Sequence, residues 1–133
     1  FAAGRILAGE RGVDAVVLCI ADTAVLATGL PFDRFDVLVL AGPVTPVSEA
    51  ERRHAPDEHL LALFRLLAPN CASPPIVVAE TSADARACFG SLPIDLSKAV
   101  VARSRAQEKI ATAMIEAGRK HRGQTTSKGR HRA

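Results

Sequence analysis

Residues 13–42 read VDAVVLCIADTAVLATGLPFDRFDVLVLAG. Two apolar runs, residues 15–20 and 37–41, are each entered through an aspartate, Asp14 and Asp36. Unbroken runs of Val, Leu and Ile at this length suit strands covered on both faces, as in a parallel sheet. Between them lies a short Ala/Thr-rich piece closed by Gly29, Leu30 and Pro31, about the length of a short crossover helix. The stretch therefore predicts a β-α-β unit with right-handed connectivity.

Working outward, residues 2–10 predict a helix with Ile6 and Leu7 on its inner side, ended by Gly12. Downstream, Pro43, Pro46 and Pro56 forbid a long helix across residues 42–56. Ser48-x-x-Glu51 fits a capping box and allows a single polar turn there. From Asp57 an apolar helix runs through His59, Leu60, Leu63, Phe64 and Leu67, with Asp57 and Glu58 in the first turn where the helix dipole favours acids. Residues 69–75 form a connector and residues 76–79 a third buried strand. Ser82 is expected to cap a short helix through Ala87 that Gly90 ends. Residues 92–96 read as either a fourth edge strand or a loop. Ser97 is expected to cap a long helix reaching Ala117, with Ala99, Ala106, Ile110, Ala113 and Met114 as its buried stripe and Gly118 as its stop. This alternation predicts an α/β fold, an open, mostly parallel sheet of three to four strands with flanking helices. It occupies residues 1–117, and residues 118–133 are expected to form a basic disordered tail.

The opening stretch also carries a resemblance. Val13, Asp14, Ala15, Val17, Leu18 and Ala21, then Leu26, Gly29, Leu30 and Phe32, then Asp33, Arg34, Asp36, Val37 and Val39 together resemble the second half of the central ATPase domain of the Mur ligase superfamily. The cyanophycin-synthetase branch is the nearest in pattern, and Gly4-Arg5-Ile6-Leu7-Ala8 resembles the helix that feeds the family's first strand. The resemblance implies ATP-dependent amide bond formation, with ATP and magnesium as cofactors if that activity is retained. The departures fall on the chemical positions. Cys19 stands where the family has an acidic metal-binding residue, and Ala21-Asp22-Thr23-Ala24 stands where it has A-R-G-G. Ala27 and Thr28 replace its arginine, and Ala41-Gly42-Pro43-Val44-Thr45-Pro46 replaces its T-N and D-H elements. A glycine-rich phosphate loop ending in Gly-Lys-Thr/Ser does not occur. The implied protein is a degenerate or partial ligase domain, with no catalytic residue carried over.

At 133 residues the chain has the length of one domain, and its 48% apolar share supports a packed core. Trp and Tyr are absent, so that core is aliphatic. Cys19, Cys71 and Cys88 are odd in number and irregularly spaced, which argues against a disulfide framework and for a reducing cytoplasm. The chain starts at Phe1 without an initiator Met or a signal pattern, as a piece of a longer protein would. Residues 15–32 are nearly uncharged, but Asp22 at their middle and Gly29 to Pro31 at their end weigh against a membrane span. His54-x-x-Asp57-Glu58-His59 matches no zinc spacing, and no metal site is expected.

In open α/β sheets ligands bind beyond the carboxyl ends of the strands. The expected strand ends supply Cys19, Asp22 and Thr23, then Thr45, then Glu80 and Ser82 as candidate ligand-binding residues. Cys19 has no histidine near it in sequence to activate it, and the backbone N–H groups around Ser82 open a helix that suits an anion. Neither G-x-S-x-G nor G-x-G-x-x-G occurs. Charge adds a second candidate. The chain is +3 overall, yet residues 118–133 hold six cations and no acid: Arg119, Lys120, Arg122, Lys128, Arg130 and Arg132. The remaining residues hold eleven basic and fourteen acidic side chains, so the basicity belongs to the tail. Such a tail attracts nucleic acid by neutralising phosphates, here without aromatics for base stacking. Unpaired sheet edges favour a protein partner or a homodimer. Three readings result: a degenerate ligase, a non-catalytic ligand- or partner-binding α/β module, and a nucleic-acid-associated protein.

Overall fold

The computed structural model describes residues 12, 15–43, 46–53 and 56–130. A three-stranded parallel sheet forms from β1 (Val39–Leu40), β2 (Ile76–Val78) and β3 (Val100–Val101), in the order β1-β2-β3. Val39 and Leu40 pair with Ile76 and Val77, and Val77 and Val78 pair with Val100 and Val101. Around the sheet lie α1 (Val25–Thr28), α2 (Glu49–Arg52), α3 (Pro56–Leu67), α4 (Ser82–Phe89), α5 (Leu96–Ala99) and α6 (Arg103–Arg130). A turn of 3-10 helix, Ala68–Asn70, follows α3. The molecule is an α/β fold with an open parallel sheet and flanking helices.

The central strand has to be apolar on both faces, and Ile76-Val77-Val78 is. Val77 is fully buried, worth about 1.5–3 kcal/mol relative to an exposed valine. Leu60 and Phe64, four residues apart on α3, and Ala85 and Phe89, four apart on α4, project from one face of each helix into the same core as Leu38 and Leu40. The start of α4 is fixed by Thr81, whose Oγ1 accepts from the Asp84 N–H at 3.1 Å and donates to Asp84 Oδ2 at 2.9 Å. Thr81 is therefore the cap and Ser82, expected in that role, is the first helical residue. Gly29 ends α1 at φ 76°, a left-handed value that disfavours any side chain.

Three expectations are corrected. Residues 15–20 form no strand: Val17 is 74% exposed and Val16 38% exposed. An apolar run specifies neither its ladder partner nor the layers that cover it, and here the ladder is completed by β3 instead. Second, the helix expected over residues 97–117 is interrupted. Asp95, not Ser97, caps α5, its Oδ1 accepting from the Ser97 N–H at 3.1 Å. The β-branched pair Val100-Val101 then extends into the sheet, and α6 starts afresh at Arg103. Residues 92–96 supply no strand, and Met114 is 37% exposed and outside the buried stripe, which Ala106 anchors. Third, Gly118 does not stop α6, which continues to Arg130 through residues expected to be a disordered tail. One interior glycine costs a helix only about 1 kcal/mol, and Arg119, Lys120 and Arg122 beyond it are good helix formers. The helix expected over residues 2–10 lies outside the described residues.

Candidate functional site

The carboxyl ends of the three strands converge on one cavity of about 260 Å³. Ala41 to Pro43 leave β1 on one side, Ala79 and Glu80 leave β2 in the middle, and Arg103 follows β3. Asp84, Cys88 and Phe89 of α4 close the remaining wall. The local sequence dictates this convergence. The Ala79 N–H donates to the Val101 carbonyl at 3.2 Å, holding the chain extended up to Glu80 before Thr81 turns it into α4. Asp84 and Cys88 are four residues apart and so share the α4 face that borders the cavity.

Glu80 Oε1 lies 3.7 Å from Arg103 Nε. Both side chains are more than half exposed, so the pair contributes only about 0–1 kcal/mol to stability. Its local role is electrostatic: α6 begins with Arg103 and Arg105 and has no acid in its first turn, where the helix dipole disfavours cations. The Glu80 carboxylate supplies the compensating charge. The mouth of the cavity thus presents a carboxylate beside a guanidinium, with the exposed Cys88 thiol on the wall.

The other sequence-derived candidates are dispersed. Cys19 is exposed on the unpaired segment and not at a strand end. Asp22 Oδ1 accepts from the Ala24 N–H at 2.9 Å, which makes it a local turn former ahead of α1. Thr23 is fully buried, and its Oγ1 accepts from the Val47 N–H at 3.1 Å, tying the α1 region to the approach to α2. Thr45 and His54 lie outside the described residues, and His59 is buried on α3. Among the described candidates only Glu80 reaches the cavity; Ser82 is exposed at the start of α4 and does not line it. Asp84, Cys88 and Arg103 were missed. Arg103 becomes visible only once Val100-Val101 is read as a strand, because its position is then a strand end.

Arg119, Lys120 and Arg122 are exposed on α6, Lys128 and Arg130 belong to its last turns, and Arg132 lies outside the described residues. Among the described residues, no cluster of three or more His, Cys, Asp or Glu is placed to hold a metal ion, and no helix is long and apolar enough to cross a membrane. No family model matches the chain, and neither a curated protein nor a solved structure matches it.

Proposed function

We propose that the chain is a ligand-binding α/β module that takes a small amphoteric molecule at the carboxyl ends of its sheet. The observation that carries this reading is the Glu80–Arg103 pair at the mouth of the strand-end cavity. The two groups offer opposite charges 3.7 Å apart, complementary to a ligand bearing both an ammonium and a carboxylate. The volume of about 260 Å³ lies just below the roughly 300 Å³ at which drug-sized pockets begin, which suits a metabolite of amino-acid size. Calorimetry with a panel of free amino acids tests it. Binding is expected for the wild-type chain and for Ser82→Ala, and is expected to be lost in Arg103→Ala and weakened in Glu80→Gln. A panel without a binder, or binding indifferent to both cavity substitutions, rejects the reading.

Descent from an ATP-dependent amide ligase is supported by the residues of Val13 to Val39 that resemble Mur ligases. Adding ATP to the same titration, with and without magnesium, addresses it: magnesium-dependent ATP binding that Arg103→Ala abolishes would favour a ligase ancestry for this cavity. A nucleic-acid role has one specific observation in its favour, since α6 carries eight Lys/Arg against two acids along one continuous helix. It calls for affinity that falls steeply with salt.

A further inference from the structure

At the opposite, amino-terminal end of the sheet lies a groove of about 720 Å³ between the starts of the strands and α6. Its deepest lining is Phe64 and Ile76, both buried, and Pro74, Pro75 and Pro93 stand along it. Lys109, Ala113, Glu116, Ala117 and Lys120 make up the α6 side, at spacings of four, three, one and three residues that keep them on one helical face. The two alanines leave the middle of that face hollow, and a lysine stands at each end. Lys98 adds a third cation to the lining, offset by Asp95, a lining acid 4.0 Å from it, so that Lys109 and Lys120 are the cations that set the pattern.

The charge pattern selects the occupant. Cations at both ends of an apolar groove complement a ligand with an anion at each end and apolar groups between. A lipid chain has a single charged end and would leave the second lysine against hydrocarbon. Lys109 and Lys120 are eleven residues apart, about 16 Å at the helical rise of about 1.5 Å per residue. An extended backbone covers that span in about five residues. We propose that this groove docks an extended segment of a partner protein, with aliphatic side chains between two acidic residues about five positions apart. Glu116, one turn before Lys120, weakens the cationic field at that end, so Lys109 makes the larger contribution to selecting the acid.

Fluorescence anisotropy on the full chain tests the proposal. The probe is a labelled pool of short peptides with glutamates fixed about five positions apart and Leu, Ile, Val or Ala between. A matched pool carries lysine in place of glutamate. The glutamate pool is expected to bind, more weakly as salt rises, and the lysine pool is expected to stay free. The double variant Lys109→Glu/Lys120→Glu is expected to weaken binding about tenfold or more, and Ala117→Leu, which fills the hollow without changing charge, to abolish it. Arg103→Ala is expected to leave it unchanged, because the strand-end cavity is a separate site. Equal binding of the two pools, no binding of either, or binding indifferent to the charge-reversed variant overturns the proposal. Laurate binding without peptide binding overturns it too and makes the groove a site for amphiphiles. If Ala117→Leu fails to fold, as judged by circular dichroism, the double variant at two exposed positions still decides.

Discussion

His121 Nε2 lies 2.6 Å from Asp36 Oδ1, joining residues 85 positions apart in sequence. Asp36 stands just ahead of β1, and His121 lies well along α6, so this contact ties the late part of the helix to the amino-terminal end of the sheet. Lys120, its neighbour, is thereby held at the groove.

Removing that tie should loosen the helix without unfolding the protein. Both side chains are substantially exposed, and pairs of this kind are worth about 0–1 kcal/mol. Asp36→Ala is therefore expected to lower global stability by less than about 1 kcal/mol while speeding hydrogen exchange of the amides around residues 117–123. Exchange there as slow as in the wild type would mean that other contacts hold this part of α6.

Thr23 makes a sharper case, because it is fully buried and its hydroxyl oxygen receives the Val47 N–H. Thr23→Val keeps the shape and removes the acceptor. The expected cost is about 0.5–1.5 kcal/mol, the net worth of one hydrogen bond, because the donor residue Val47 is half exposed. Thr23→Ser keeps the acceptor and should recover much of that loss. Chemical denaturation of the two variants side by side measures it, and equal stabilities would show that the hydroxyl contributes nothing beyond its volume.

How far the sequence could be read follows from which physical signal each element leaves. The strands β1 and β2 and the helices α3 and α4 carry local signatures: short Val/Leu/Ile runs, a 3.6-residue stripe, and a Thr-Ser pair at the start of α4, whose cap the sequence alone places one residue late, at Ser82 instead of Thr81. Each agrees with its final environment. Residues 15–20 carry the same apolar signature as β1, but pairing is a property of two segments and the run alone cannot specify its partner. β3 was hidden for the opposite reason. Two valines are too short a run to stand out between helix-forming stretches, and only their ladder with β2 makes them a strand. The site inherits this asymmetry. Glu80 was legible because β2 was, whereas Arg103 and the α4 pair Asp84 and Cys88 depend on tertiary convergence.

That contrast between two valines is directly measurable. Val17 is 74% exposed and Val77 fully buried, although both sit in apolar runs. Val17→Lys is expected to change stability by no more than about 0.5 kcal/mol, as surface substitutions do. Val77→Ala removes buried methyl groups from the central strand and is expected to cost about 2 kcal/mol or more, through lost transfer energy and the void left behind. A large loss from Val17→Lys would place residues 15–20 in a buried strand after all.

Gly90 poses two effects of opposite sign. It ends α4 at φ −64° and ψ −20°, a right-handed conformation open to any residue. On backbone grounds alone, Gly90→Ala should stabilise by about 0.4–1 kcal/mol by restricting the unfolded chain. A methyl group at this position, however, would collide with the carbonyl oxygen of Arg86, which already accepts the Gly90 N–H at 2.9 Å. Backbone cannot swing aside as a side chain can. Relieving the overlap would shift the last turn of α4, and that turn carries Phe89, 2% exposed in the core and also part of the strand-end cavity wall. The steric term should win at about 1–3 kcal/mol, so Gly90→Ala is expected to lower the melting temperature and to weaken ligand binding at the strand ends together. A raised melting temperature would show that the last turn of α4 yields freely, and that the wall of the cavity is softer than its packing implies.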